Sequence, residues 1–191
     1  MVRHAPLIAA RRSDYTVVRA LHRDVVPFIR EYHYSKACAN TSVLAFVLGR
    51  NADSEMIGAA LWMPPTKNAA MSVNREHWTR VLTLSRLAIA PGAPTNCASL
   101  LIGGMIRAIR TEGKWVSLVT YADEAEGHTG AIYKATNWTY AGASAPTPRW
   151  VDGDGVKVSR LATKTRTDAE MRALGYVRLA PSRKLKFVMH L

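Results

Sequence analysis

The sequence predicts a mixed α/β fold, a central β-sheet flanked by helices. Between Val81 and Gly142, apolar segments of strand length alternate with segments of helical spacing, in the order β-α-β-α-β. That order is typical of a mainly parallel sheet with crossover helices. The chain has 191 residues, of which 48% are hydrophobic, as in one globular domain. We therefore expect a single domain over residues 1–191.

The stretch from Val81 to Gly142 supplies the centre of the predicted sheet. Its segments are a strand over Val81–Pro91, a turn over Gly92–Asn96, a helix over Cys97–Arg110, a strand over Lys114–Glu124, and a short helix, turn and strand over Gly127–Gly142. In such sheets, ligands bind beyond the carboxyl ends of strands and at helix N-termini. We expect the chemistry near Pro91–Ser99 and Tyr121–Tyr133.

The flanking segments are predicted from periodicity and turn residues. Before the centre we expect an unstructured basic leader over residues 1–14, an edge strand over Tyr15–Leu21, a helix over His22–Tyr34, a hairpin of Ser42–Arg50 and Met56–Pro64, and a loop over Pro64–Trp78 that ends in a short helix. After it we expect a surface loop over Ala143–Gly155, a strand over Val156–Thr163, a helix over Thr167–Gly175 capped by Thr167 or Asp168, and a strand over Arg183–Leu191.

The charge is the most informative feature of the composition. Lys and Arg number 26 against 14 acidic residues, which gives a net charge of +12. Such an excess favours a polyanionic partner, usually nucleic acid, although a basic protein that merely stays soluble would share it. The basic residues are spread along the chain, so folding must assemble any binding face.

Several protein classes are disfavoured by the sequence. No apolar run approaches the roughly 20 residues of a membrane span, and the N-terminus is too weakly hydrophobic for a signal peptide. We therefore expect no membrane association and a place in the cytoplasm. Cys38 and Cys97 match no zinc spacing, and we expect reduced thiols without a metal role.

Arg86 interrupts an otherwise apolar strand. Alternation places its side chain on the face of Leu84, Ala88 and Ala90. A buried guanidinium is costly unless it is paired. Arg86 therefore either pairs with an internal carboxylate such as Asp123 or holds an anionic or carbonyl group of a ligand.

The turn before the central helix is a candidate anion site. Thr95 or Asn96 is a suitable N-cap, which leaves the backbone amides near Cys97, Ala98 and Ser99 free to face an anion. Every helix start has this property, but this one follows the central strand.

Two polar groups flank these elements. His33, Tyr34 and Ser35 end the first predicted helix and suit a proton relay or a substrate contact, unless Tyr34 packs and His33 is solvated. Tyr133, on the short helix, is either a core residue or a hydroxyl directed at the site. A second group follows the Lys114 strand and is either a metal site or a solvated acidic turn. It comprises Asp123, Glu124, Glu126 and His128.

The motifs resemble two related protein families. The order of elements, with Tyr133 in AIYKATNWTYAG, looks like the core of the GNAT acyltransferases, although Asn137-Trp138 replaces the usual Gly-Phe. More specifically, HYSKA, LSRLAIAPGAPTNCAS, LVTYADE and GHTGAIYKATNW resemble the Mom DNA-modification proteins of Mu-like phages. The similarity covers roughly Tyr32 to Gly142.

The resemblance implies a specific activity. Mom-like proteins add a carbamoylmethyl group to the exocyclic amine of adenine in duplex DNA, which protects phage DNA from host restriction. It implies double-stranded DNA as partner, the host cytoplasm as location, and an acyl-CoA-type ligand or iron as candidate cofactors; the group donor is unknown. The functional residues carried over are His33, Tyr34, Ser35, Arg86, Ser99, Asp123 and Tyr133, with Asn96, Cys97, Ala98 and Ser99 at the expected cofactor turn.

One departure and two alternatives accompany this interpretation. Pro91 and Pro94 lack the amide hydrogens that a pyrophosphate loop donates, which disfavours conventional acetyl-CoA binding. The alternatives are a GNAT enzyme acting on a protein or small amine, and a non-enzymatic DNA-binding protein.

To reach adenine in a duplex, the enzyme is expected to flip the base out. Candidate stacking residues are Tyr34, Trp62 and Trp78.

Overall fold

The fold is that of a computed structural model, which describes residues 9–36, 38–158 and 160–191. Seven of its strands form one sheet and two form a separate ribbon. The strands are β1 (Tyr15–Ala20), β2 (Leu44–Arg50), β3 (Met56–Met63), β4 (Val81–Ile89), β5 (Ser117–Asp123), β6 (Thr139–Ala143), β7 (Thr147–Val151), β8 (Val177–Ser182) and β9 (Lys184–His190).

Helices cover both faces of the large sheet. They are α1 (His22–Tyr32), α2 (Lys67–Met71), α3 (Cys97–Glu112), α4 (Ala131–Ala135), α5 (Arg160–Thr163) and α6 (Asp168–Ala173). No helix in the described ranges is long and apolar enough to cross a membrane.

The sheet is mixed, with the order β1-β2-β3-β4-β5-β9-β6. The expected hairpin of β2 and β3 and the edge position of β1 are confirmed. The expectation of a mainly parallel sheet is wrong, because β4 and β5 form the one parallel pair among the described strands. β9 returns antiparallel and inserts between β5 and β6. Buried strands read alike as apolar runs, so the local pattern did not indicate this insertion.

The parallel pair separates into a cleft. β4 and β5 pair only over the register Val81–Thr83 with Ser117–Val119. Beyond it, the β3–β4 register shifts, so that Ser85 is an extra residue between two paired positions and donates from Oγ to the Leu61 carbonyl at 2.9 Å. A bulge of this kind bends a strand and ends regular pairing. The two strands therefore diverge at the centre of the sheet.

Two cores hold the layers together. On one face, α3 is fully buried at Leu101, Met105 and Ile109 against a cluster that includes Phe46 and Trp62. On the other face, α1 buries Val25 and Ile29 against β2, β3 and β4. Burying each such side chain contributes about 1.5–3 kcal/mol, which fixes both helices to the sheet.

The region after β6 differs most from expectation. β7 lies within the predicted surface loop, and it pairs with β8, which the sequence pattern did not predict. Residues 160–163 form α5 where a strand was expected. The helix α6 is confirmed, and Thr167 caps it in a capping box with Glu170.

Two connections also differ from expectation. A short helix was expected at the end of the loop before β4. The short helix α2 instead lies near the start of that loop, and the loop ends in a 3₁₀ turn over Trp78–Arg80. Residues 1–8 of the predicted leader lie outside the described residues. Ala10 donates its amide to the Thr95 carbonyl at 2.9 Å, so this part of the leader lies against the turn before α3.

Candidate active site

The cleft between β4 and β5 contains a cavity of about 370 Å³. The end of α1, the part of β4 beyond the bulge, β5 and the segment leading into α4 all contribute side chains. The residues that line it are His33, Tyr34, Leu84, Ser85, Arg86, Leu87, Ile89, Thr120, Tyr121, Ala122, Gly127, His128, Thr129, Gly130, Ala131, Ile132 and Tyr133. Parts of the chain separated by a hundred residues meet here.

Four of the six predicted catalytic residues line this cavity: His33, Tyr34, Arg86 and Tyr133. Ser35 does not line it, but its hydroxyl lies 2.9 Å from His33 Nδ1. Asp123 lines a second, adjoining cavity instead. Five of the six predicted catalytic residues therefore divide between two neighbouring cavities.

His33 is a buried, neutral histidine. The Ser35 amide donates to Nδ1 at 3.1 Å, so Nδ1 is an acceptor and the proton of the neutral ring is assigned to Nε2. Burial, then the charges of Arg86 and His128, lowers the pKa of His33 to about 4. At neutral pH, Nε2 thus carries the single proton of the ring.

Tyr34 lies between several polar groups at the mouth of the cleft. Its ring centroid is 4.3 Å from that of His33 and 5.3 Å from that of His128. Lys157 Nζ lies 5.3 Å from the centroid of the Tyr34 ring. Burial, then the negative charge of Asp123, raises the pKa of Tyr34. The phenol therefore stays protonated at neutral pH, and with 42% of its surface exposed it is also accessible.

The bulge at Ser85 decides the direction of Arg86. Leu84 belongs to the core under α3, whereas Arg86 pairs with Leu61, which lies in the core under α1. The prediction that Arg86 and Leu84 share a face is wrong, because the extra residue reverses the alternation. Arg86 Nη1 donates to the Ser85 carbonyl at 2.6 Å. An ion pair with Asp123 is not among the contacts between described residues.

Tyr133 belongs both to the core and to the cavity. Its ring packs with Phe187 and Trp138, at centroid distances of 5.3 and 5.9 Å. Burial raises the pKa of Tyr133, and a hydrogen bond with Thr120 partly offsets the rise. The ring of Tyr133 is therefore a core element, and the residue also lines the cleft.

The second cavity, of about 540 Å³, adjoins the first along Tyr121. Asp123 lines it, two residues further along the same strand and hence on the same face. Tyr121 is the functional candidate that the sequence reasoning missed. The available signal was the alternation in LVTYADE, which gives Tyr121 and Asp123 a common direction.

The turn before α3 lies apart from both cavities. Asn96 holds the N-cap position in a left-handed conformation with φ 74°, and its side chain caps nothing, contrary to prediction. Cys97 is buried, and neither it nor Asn96, Ala98 and Ser99 lines either cavity. The Cys97 amide is directed at the Pro94 carbonyl, 3.5 Å away, and Pro91 and Pro94 have no amide hydrogen. The turn therefore fits the pyrophosphate of an acyl-CoA poorly.

The acidic segment after β5 does not form a metal site. Within the described ranges, no three His, Cys, Asp or Glu side chains converge in a way that would hold an ion. Asp123 Oδ1 accepts hydrogen bonds from the Ala125 amide and the Ser182 hydroxyl, and Glu126 pairs with Lys157. The donor set does not fit iron.

Of the three aromatic residues predicted to stack on a base, one lines either of these two cavities. Trp62 is fully buried and lies parallel to Trp138, with 6.4 Å between ring centroids. Trp78 lines neither cavity and lies under Lys67 Nζ at 5.3 Å. Tyr34 alone of the three lines the cleft.

The fold places the chain among the GNAT-type acyltransferase folds. It is similar over 95% of its length to 95% of a spermidine/spermine N-acetyltransferase from Vibrio cholerae, with a TM-score of 0.59 and 11% identity. A GCN5-related N-acetyltransferase from Kribbella flavida matches over 95% of this chain and 100% of its own, with a TM-score of 0.56 and 16% identity. At these identities the likeness shows the fold alone.

The family is shown by the sequence. A model of the Mom protein family matches residues 14–190, and the chain belongs to that family. It is 28% identical over 131 residues to the methylcarbamoylase mom of Escherichia phage Mu, a match that covers 66% of this chain and 53% of that protein. The chain thus matches about half the length of this curated relative.

Proposed function

We propose that this protein is a DNA-modifying transferase that adds a carbamoylmethyl group to the exocyclic amine of adenine in duplex DNA. On this proposal the modification protects phage DNA from host restriction. The observation that carries the proposal is the convergence of His33, Tyr34, Arg86 and Tyr133 on one cleft in a member of the Mom family. The name of the phage Mu relative supports the chemistry.

The cleft suits the donor side of the reaction. Arg86 is the cation at its wall and would hold an anionic or carbonyl oxygen of the donor. His33 and Tyr34 are neutral and protonated at pH 7, so each would donate a hydrogen bond to the donor group or its leaving group. Ser35 would act as a positioning residue, because it fixes the tautomer of His33.

The proposed transfer balances as a substitution at carbon. The adenine exocyclic nitrogen forms a bond to the methylene carbon of a donor that carries a leaving group there. The bond to the leaving group breaks, and that group departs with the electron pair. The amine then loses one proton, for which the Asp123 carboxylate is the nearby acceptor.

Identifying the modified nucleoside in cellular DNA tests this proposal. DNA from cells that express the protein is digested to nucleosides and analysed by mass spectrometry. We expect an adenine nucleoside whose mass is increased by a carbamoylmethyl group. Unmodified adenine throughout, from cells with abundant folded protein, would overturn the proposal. An acetylated nucleoside would indicate acyl transfer instead.

A matched pair of tyrosine variants tests the cleft. Tyr34→Phe removes only a hydroxyl from a ring that lines the cleft, and we expect modification to fall by about 10²–10⁴-fold with little change in melting temperature. Tyr140→Phe makes the same change at an exposed tyrosine outside both cavities and should leave modification intact. Equal activity of the two variants would show that the cleft is not the active site.

A further inference from the structure

The second cavity lies between the large sheet, α2 and the β7–β8 ribbon. Thr83, Tyr121 and Asp123 form its floor, Ala69 of α2 lies on one side and Trp150 of the ribbon lies on another. Tyr121 is the residue common to this cavity and the cleft. A molecule bound here would therefore approach a donor in the cleft at Tyr121.

The charges of the second cavity select among possible acceptors. Arg149, Lys157 and Lys184 line it, against the single carboxylate of Asp123. Lys157 is paired with Glu126, but Arg149 and Lys184 make no ion pair among the described residues. A lysine side chain or a polyamine would be repelled by this excess of cations. A neutral amine attached to a phosphate would be attracted.

One oxygen of the Asp123 carboxylate can accept a hydrogen bond from a ligand. The Ala125 amide and the Ser182 hydroxyl both donate to Oδ1, at 3.1 and 3.3 Å. Oδ2 accepts no hydrogen bond from the described part of the chain. A carboxylate oxygen of this kind accepts from the exocyclic amine of a nucleobase. The hydrogen bond from the Ala125 amide to Oδ1 holds the group in place for that contact.

The walls suit a flat, partly apolar ring. Tyr121 and Trp150 are aromatic, and Pro65 and Leu179 add apolar surface. With the cations, these residues offer contacts to a base and to its phosphate together. Bases extruded from duplex DNA are held in enclosed pockets by the same two kinds of contact, aromatic packing and hydrogen bonds to the base edge.

We propose that the second cavity is the acceptor site and receives an adenine nucleotide extruded from the duplex. The exocyclic amine binds Asp123 Oδ2, and Arg149 and Lys184 bind the backbone phosphate. Tyr121 positions the amine at the junction with the cleft. This assignment rests on the proposed function, since it supplies the base on which that reaction acts.

Filling the cavity tests the assignment. Ala69→Trp places a large ring in the cavity. The control, Asn68→Trp, introduces the same side chain at the neighbouring exposed position of α2, outside the cavity. We expect DNA modification to fall by about 10²-fold in Ala69→Trp, because the base is displaced, and to stay near the wild-type level in Asn68→Trp. Absence of modified adenine from the wild type would defeat the proposed function, whereas wild-type activity retained in Ala69→Trp would defeat only the cavity assignment.

A second pair of variants keeps the test decisive if Ala69→Trp does not fold. Thr147→Trp fills the cavity from the ribbon, and Val177→Trp places the ring at an exposed ribbon position outside it. Thermal melts identify the folded proteins. If Ala69→Trp melts early, the Thr147→Trp and Val177→Trp pair decides, with the same expected loss in the first and the same overturning result.

A binding measurement gives a readout without catalysis. Two duplexes of equal sequence are compared, one with a central adenine opposite an abasic site and one with the normal pair. Because extrusion is easier from the abasic duplex, we expect the wild type to bind it about tenfold more tightly. Ala69→Trp should lose this preference, and Asn68→Trp should keep it. Equal binding of both duplexes by the wild type would overturn the assignment.

Discussion

At the scale of single residues, His33 shows how burial sets a protonation state. Its Nδ1 is bonded to Ser35, and the ring lies beside Arg86, so a second proton would bring one positive charge next to another. Sequence alone placed His33 among the candidates, but it did not distinguish a solvated ring from a buried one. That distinction depends on the packing of α1 against the sheet, which also brings the charge of Arg86 close to the ring.

The neutrality of His33 predicts a pH dependence of stability. The pKa falls from its ordinary 6.5 to about 4 on folding. Between these values the unfolded chain holds more protons than the folded one, so the free energy of unfolding rises with pH across this window. The contribution is fully present above pH 6.5 and is lost as pH falls through about 4, so that the loss between pH 7 and pH 4.5 is on the order of 2 kcal/mol.

Denaturant titrations at pH 7 and pH 4.5 measure this difference. His33→Gln should flatten the pH dependence, because the titrating group is removed. His77→Gln, at an exposed position, should retain the wild-type slope. A wild-type slope preserved in His33→Gln would assign the acid sensitivity to other groups.

At the scale of elements, the start of α4 shapes the wall of the cleft. Gly130 precedes this helix with φ +74°, and a Cβ there would come within 2.1 Å of the Phe187 ring. Gly127, three residues earlier, has φ +71° and open space around it. The two glycines therefore share a backbone constraint and differ in packing.

Substituting alanine at each of the two glycines separates the cost of the backbone conformation from the cost of the contact with Phe187. Gly127→Ala should lower the free energy of unfolding by about 1–2 kcal/mol from backbone strain alone. Gly130→Ala should cost about 1–3 kcal/mol more, because the Phe187 ring must shift within a close-packed core. Equilibrium denaturation measures both values. Equal losses would mean that the ring moves aside without cost.

The elements also show which patterns a sequence reveals. β2, β3 and β4 are apolar runs and α3 has apolar residues at helical spacing, because all four face a core, and all four were predictable. β7 and β8 bury little beyond Trp150 and contain Pro148 and Pro181, so neither alternates clearly. The paired strands β7 and β8 line the second cavity opposite Asp123. The local sequence pattern therefore could not predict that cavity. The bulge at Ser85 was equally hidden, since it depends on register with β3.

At the scale of the whole molecule, the net charge of +12 predicts salt-sensitive DNA binding. Phosphate contacts release counterions, so affinity for duplex DNA should fall steeply as salt is added. If Arg149 and Lys184 contact phosphate, the double variant Arg149→Ala, Lys184→Ala should reduce the slope of log affinity against log salt by about 2. Fluorescence anisotropy over a salt series measures that slope.

Arg50 provides the control for this measurement. It pairs with Asp53 at 2.7 Å and also with Glu55, so its charge is already balanced locally. Arg50→Ala should change the salt slope little. A slope that is flat in the wild type, or unchanged in the double variant, would place the source of affinity elsewhere.

The position of β9 has a consequence for the order of assembly. β5 and β6 are successive strands of the large sheet, yet each pairs with β9, which follows them in the chain by some forty residues or more. Phe187, which backs both Gly130 and Tyr133, also lies in β9. A nascent chain that has emerged only as far as β6 therefore lacks the strand that joins β6 to the five strands β1 to β5. Both the completion of the sheet and the Phe187 side of the cleft wall must wait for the same late segment, so we expect the active site to form last.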